Sequence, residues 1–163
     1  MTKCRYQGCP EDRWEGDEQH CIFHCQRPDK DPDFFRQRLA AKRDRNYQGY
    51  FFPIEADFSG QTLVDADFGE ARFAERADFS GATFEGDRAA YFRRARFAAA
   101  YLRGARFAAA ADFRGAQFAA DADFGGAQFK EQASFINTRF QSAVYFNGAS
   151  MDKALFRGAG WHR

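Results

Sequence analysis

Cysteine is absent after residue 25, histidine occurs only at positions 20, 24 and 162, and proline occurs four times in 163 residues. Nowhere is there an apolar run of the roughly 18 residues that a membrane-spanning helix needs. Met1 is followed by Thr2, Lys3 and Cys4, with no apolar stretch of the kind that opens a secretory signal, so a cytoplasmic chain without membrane attachment is expected. With histidine this scarce, no nucleophile with a base beside it can be assembled outside the first residues. No phosphate-binding glycine loop occurs either, and an enzyme is not expected. A formal net charge of +1 leaves no strong overall field of either sign.

What is present is a phrase repeated from Ala56 to the end: a small residue, a polar residue, a large apolar residue, and two more. The central positions are Phe58, Leu63, Phe68, Phe73, Phe79, Phe84, Phe92, Phe97, Leu102, Phe107, Phe113, Phe118, Phe124, Phe129, Phe135, Phe140, Phe146, Met151, Phe156 and Trp161. Two residues before each stands Ala, except at Gln61, Thr138 and Val144. A helix with 3.6 residues per turn would scatter such a set around its circumference. In extended chain, residues two apart point the same way, so the small and the central residue both face inward and the one between them faces solvent. Units this short cannot bury their own apolar side and must stack on neighbours, which defines a solenoid. A Phe→Ala change in a middle coil, such as at Phe113, is expected to be strongly destabilising.

Through much of the chain, steps of five alternate with steps of six, and two such eleven-residue periods make one coil of four sides. Gly60, Gly81, Gly104, Gly126 and Gly148 then lie above one another at one corner, where glycine accepts positive φ. The opposite corner reads Glu70, Arg94, Gly115, Asn137 and Gly158, so the two halves of a coil are expected to differ. The six-residue steps are expected to bulge at corners, and residues Gly86, Asp87 and Arg88 to form a projecting loop. Five coils at the usual inter-strand spacing give a rod roughly 24 Å long.

Phrases such as Ala56-Asp57-Phe58-Ser59-Gly60, Ala77-Asp78-Phe79-Ser80-Gly81 and Ala111-Asp112-Phe113-Arg114-Gly115 resemble those of the pentapeptide-repeat family. The resemblance implies an all-β solenoid, a right-handed quadrilateral β-helix of about five coils. It also implies end-to-end homodimerisation through the last coil, beside Trp161 and Leu155. The best-known activity of the family is modulation of DNA gyrase by an acidic, DNA-like rod. From Ala56 onward acidic and basic residues balance, which fits that activity poorly.

All four cysteines, Cys4, Cys9, Cys21 and Cys25, fall near the start, with His20 and His24 among them. The set Cys4, Cys9, Cys21 and His24 offers three thiolates and an imidazole, which suits a structural zinc. Cys25 competes as the fourth ligand, and His20 less well; free buried thiols and disulfides are the alternatives. Gly8 would let the first loop fold back. Cys21-Ile22-Phe23-His24, followed by Asp29-Lys30-Asp31, also looks like the zinc knuckle found ahead of some pentapeptide-repeat domains. The segment from Asp31 to about Arg45 opens with a cap residue and Pro32 and lacks β-branched residues, so it reads as a helix with Phe34, Phe35 and Leu39 on its apolar side. The expected organisation is a zinc knuckle over 1–28, a capping helix and lead-in over 29–53, and the β-helix over 54–163.

Function is expected on the outward residues, as a binding or scaffold module for another macromolecule, protein or nucleic acid. One face presents Arg72, Arg96, Gln117 and Arg139, and Thr62, Thr83, Arg106, Gln128 and Ser150 form what is read as its neighbour. Between Arg88 and Ala111 there is no acidic residue, and Arg88, Tyr91, Arg93, Arg94, Arg96, Tyr101, Arg103 and Arg106 crowd about one coil. That arginine–tyrosine belt is a candidate surface for phosphate or nucleic acid. The alternative is a solvated rim whose arginines pair with acids of neighbouring coils.

Overall fold

The computed structural model describes every residue except Met1, Arg43, His162 and Arg163, so the last two positions of the expected final coil lie outside the described residues. From Asn46 to Trp161 the chain winds into a β-solenoid of about five turns, with one short helix and the Cys/His segment at its N-terminal end. Every strand pairing in the solenoid is parallel, and the outward residues form four ladders. These are Asp57–Asp78–Tyr101–Asp123–Tyr145, Thr62–Thr83–Arg106–Gln128–Ser150, Asn46–Asp67–Tyr91–Asp112–Ser134–Leu155 and Phe51–Arg72–Arg96–Gln117–Arg139–Gly160. The residue grouping expected from the repeat is reproduced, but its adjacency is not. Strand Arg72–Asp78 carries the chain directly from the Arg72 ladder into the Asp57 ladder, so the Arg72 and Thr62 ladders are not neighbours.

Strands of two or three residues are stable here because each ladder places a ring over a ring. In the Asp67 column, Tyr47, Phe68, Phe92, Phe113, Phe135 and Phe156 stack at 4.6–5.2 Å with nearly parallel planes. In the Arg72 column, Phe52, Phe73, Phe97, Phe118, Phe140 and Trp161 do the same at 4.5–5.1 Å. Rings from different columns meet edge to face, as Phe113 meets Phe124 at 88°. Both arrangements are the ones the ring quadrupole favours. The alanines fill the remaining inward positions, and Thr138 is tolerated there because its hydroxyl donates to the Phe113 carbonyl at 2.7 Å.

Every second corner is a tight turn. Gln61, Ala71, Ala82 and Ala95 donate their backbone N–H to the carbonyls of Phe58, Phe68, Phe79 and Phe92, with the third turn residue at positive φ, the type II geometry. Glu70, Arg94 and Asn137 adopt it as Gly81 does, so the two halves of a coil, expected to differ, share one backbone turn despite their different residues. The six-residue steps fall at the other corners, where the register shifts between Phe73 and Arg76. The longest step keeps residues Glu85–Arg88 exposed, pinned where the Asp65 carboxylate accepts from the Arg88 backbone N–H at 3.0 Å. Gly81 has φ +66 and open space where a Cβ would stand, so Gly81→Ala is expected to cost about 1 kcal/mol from the backbone alone. Arg94→Gly is expected to stabilise by a similar amount, and urea midpoints of the two variants moving in opposite directions check both.

The helix, α1, spans Pro32–Ala40 and is capped by the Asp31 carboxylate, which accepts from the Phe34 N–H at 2.8 Å. It ends about five residues earlier than the sequence suggests. Lys42 turns back, donating its N–H to the Leu39 carbonyl and laying its ammonium over the Phe23 and Tyr50 rings. The chain must reach Asn46, which already bridges to Asp67. Phe35 is buried between Phe23 and Phe52, and Leu39 is half-buried, but Phe34 is 40% exposed and does not join the apolar side expected of it. Tyr47 and Phe52 take ring positions under Phe68 and Phe73, so the stretch 46–52, expected as lead-in, is itself the first half-coil. Among the described residues no helix is long and apolar enough to cross a membrane.

Candidate metal centre

Two tight pieces of chain bring the ligand candidates together. In the first, Lys3 and Asp12 pair in an antiparallel bridge, and the loop between them closes with the Cys9 N–H donating to the Tyr6 carbonyl at 3.0 Å, with Gly8 at φ +78. In the second, Cys21 and His24 share one helical turn, closed by the Cys25 N–H donating to the Cys21 carbonyl at 3.0 Å. The ligand atoms of Cys4, Cys9, Cys21 and His24 all lie within 4.8 Å of one another, near enough to hold a metal ion. The His24 Nδ1 stands 3.2 Å from the Cys21 sulfur and 3.6 Å from the Cys4 sulfur, and the Cys9 and Cys21 sulfurs are 3.8 Å apart.

The imidazole is held for this task. Its Nε2 lies 2.9 Å from the Gln48 carbonyl, which can only accept, so the proton is on Nε2 and the Nδ1 lone pair faces the sulfurs. Tyr6 stacks on the ring at 3.9 Å and Tyr50 meets it edge-on at 5.0 Å. Gly49, at φ +69, is required beneath Tyr6, because a Cβ there would stand 2.4 Å from that ring. Burial pushes the His24 pKa down to about 4, keeping the imidazole neutral. Burial also raises the Cys21 and Cys9 thiols, and the neighbouring sulfurs add to the rise.

Cys25 is fully buried yet outside this cluster, its thiol beside the Asp17 carboxylate, which contributes to raising it after burial. The nearest charged contact of His20 is the same carboxylate, 3.5 Å away. Lys30 escaped the sequence reading: it is only 3% exposed, donates to the Phe51 carbonyl at 3.0 Å and lies over the Phe35 and Phe51 rings. Burial pushes its pKa down to about 8. A lysine between two aspartates carries no local sign of such burial.

The arginine–tyrosine belt divides. Arg88, Tyr91, Arg93, Arg94 and Arg96 gather about the corner between the Asp67 and Arg72 ladders, and Arg88 lies over the Tyr91 ring. Tyr101, Arg103 and Arg106 lie about the corner between the Asp57 and Thr62 ladders. Arg93 pairs with Asp112 at 3.5 Å, Arg94 with Glu70 at 3.7 Å and Arg103 with Asp123 at 3.6 Å. Arg96 and Arg106 have no carboxylate within 4.0 Å among the described residues.

The comparisons with known proteins match the rod. Residues 54–86 match a family model of pentapeptide repeats in 8 copies, and residues 87–128 match one of pentapeptide repeats in 9 copies. No curated protein matches the chain. Ladder register and ring stacking run on unbroken past residue 128 to Trp161. Across residues 54–128 the chain is made of the repeats of the pentapeptide-repeat family.

Proposed function

We propose that the protein is a non-enzymatic scaffold: a solenoid whose faces bind another macromolecule, closed at one end by a cap that zinc holds together. The observation that carries the metal is the convergence of three sulfurs and one correctly protonated imidazole from two separate loops. A tetrahedral zinc, with thiolate bonds of about 2.3 Å and an imidazole bond of about 2.0–2.1 Å, sets its donors roughly 3.5–3.8 Å apart. Separations of 3.6 and 3.8 Å between donors fit that figure, while His24 Nδ1 and the Cys21 sulfur, at 3.2 Å, stand closer and would part slightly around the ion. With four protein donors no coordination position is left for substrate, so zinc would supply a cross-link between the loops.

The cap is seated on the rod through His24, Tyr6 and Phe23, so the zinc would also fix the end of the solenoid. Phe23 stacks on Tyr50 at 4.6 Å, and its carbonyl accepts from the Phe51 N–H, closing a strand edge that would otherwise be open. At the other end Tyr145, Leu155 and Trp161 are exposed and Phe146, Met151 and Phe156 only half-buried, which suits pairing with a second copy. A DNA-like acidic rod draws no support, because Asp78, Asp112 and Asp123 are each paired with arginine.

Metal analysis of protein purified without chelator, together with its mass in solution, tests both ends. One zinc per chain and twice the chain mass of 18.6 kDa are expected. Protein without metal overturns the cap, and a monomer at high concentration overturns the pairing.

A further inference from the structure

Five of the eleven described arginines of the rod are answered by an acid. Arg76 pairs with Asp78 and Glu55, Arg93 and Arg114 with Asp112, Arg94 with Glu70, and Arg103 with Asp123. Of the other six, three stand in one row, the Arg72 ladder. Arg72, Arg96 and Arg139 are exposed, with Gln117 between them, and none has a carboxylate within 4.0 Å among the described residues; Arg72 donates only to the Gln26 amide. At about 4.7–4.9 Å per coil, Arg72 to Arg139 spans roughly 14 Å along the rod. The turns leading into this ladder, just before it in each coil, add Arg93, Arg94, Arg114 and Arg157, all exposed.

We infer that this edge of the rod docks the phosphate backbone of duplex nucleic acid. The charge forms a stripe along the axis, and a duplex presents about one phosphate charge per 1.7 Å of its own axis, so a straight row of guanidinium groups can answer several at once. Between its arginines the ladder carries no exposed apolar anchor of the kind a protein interface centres on: Phe34, Val64, Tyr145 and Leu155 lie elsewhere, and the exposed Trp161 stands beyond Arg139 at the end of the column, stacked on Phe140. It also carries no exposed ring between its arginines on which unstacked bases could sit, which favours duplex over single strand. Beside the arginine row lie Ala74, Ala98, Ala119 and Gln141, small or neutral groups that keep the face open. The inference rests on the scaffold reading and names the partner's chemistry.

The test is binding of a fluorescein-labelled 20-base-pair duplex to the full, metal-loaded chain between about 20 and 200 mM KCl, followed by anisotropy. Removing Arg72, Arg96 and Arg139 together as glutamine is expected to weaken binding on the order of tenfold to a hundredfold at low salt. It should also flatten the slope of log K against log salt by about 0.9 per arginine. Arg103→Gln with Arg106→Gln, on the far corner, is expected to leave both within about twofold. Absence of salt-dependent duplex binding, or equal losses in the two variants, overturns the inference. Displacement of the duplex by polyglutamate at equal charge overturns nucleic acid as the partner in favour of an acidic protein. Wild-type protein that holds no zinc yet binds duplex through Arg72, Arg96 and Arg139 keeps this inference while the cap reading fails.

Discussion

Protein carrying Cys21→Ser is expected to hold no zinc and to lose the fold of its first forty or so residues while the middle of the rod stays folded. Cys21 is the buried ligand nearest both loops, 3.8 Å from the Cys9 sulfur and 3.2 Å from His24 Nδ1. A serine hydroxyl neither ionises at neutral pH nor suits a borderline-soft ion as thiolate does. The cap has few other means of stability: Ile22, Phe23 and Phe35 are its buried apolar side chains apart from cysteine. For small zinc modules the apparent metal-binding free energy, about 10–16 kcal/mol, is in effect the folding free energy. Limited proteolysis should then cut only ahead of about Asn46, and thermal unfolding of the wild type in chelator should resemble that of the variant. Cys25→Ser, which alters a cysteine as buried but outside the cluster, should keep its zinc. Resistance of the Cys21→Ser cap to protease would mean that the remaining thiols and the imidazole pack without a metal.

Phe113→Ala is expected to cost about 3–5 kcal/mol, the second large effect. Phe113 is fully buried, stacked between Phe92 at 4.8 Å and Phe135 at 4.9 Å, with Phe124 and Phe107 edge-on beside it. Backbone ladders on all sides hold those neighbours in place, so the cavity cannot collapse and the loss stays near the upper range for aromatic truncation. For a chain of this size the loss corresponds to a fall in melting temperature of roughly 6–20 °C. The same change at Phe156, half-buried in the last coil, should cost clearly less. Equal costs at the two sites, measured by urea unfolding, would mean that the last coil is covered in solution as the middle coils are.

Much of this was legible in the sequence, for a physical reason. Alternation of inward and outward residues is a local property of extended chain, so Ala56 with Phe58, or Ala111 with Phe113, declared their burial and the ladder membership of Asp57 and Asp112. The pairing of Cys21 with His24 was legible too, because C-x2-H lies on a single turn, whereas the approach of Cys4 and Cys9 to them is long-range. The half-coil at Tyr47 and Phe52 could have been read as well: the two rings are five apart, and Gly49 follows Tyr47 as Gly60 follows Phe58. The early end of α1 at Ala40 was not legible, since the pull of Asn46 toward Asp67 is long-range. Nor could residue identity at the corners reveal that Glu70 and Arg94 would share the backbone of glycine, because stacked ladders on either side impose that turn.

The sequence by itself determined the solenoid, the ring columns and the ladder partners, which follow from spacing within a few residues; it left Cys25 as a rival to His24, and the fold brought Cys4, Cys9, Cys21 and His24 together with Cys25 apart. Only the tertiary structure decided which charges share a surface. The stretch from Arg88 to Arg106 wraps around a coil and parts its arginines between two corners, while Arg72, Arg96 and Arg139, far apart in the chain, align because parallel register sets successive coils about 4.8 Å apart.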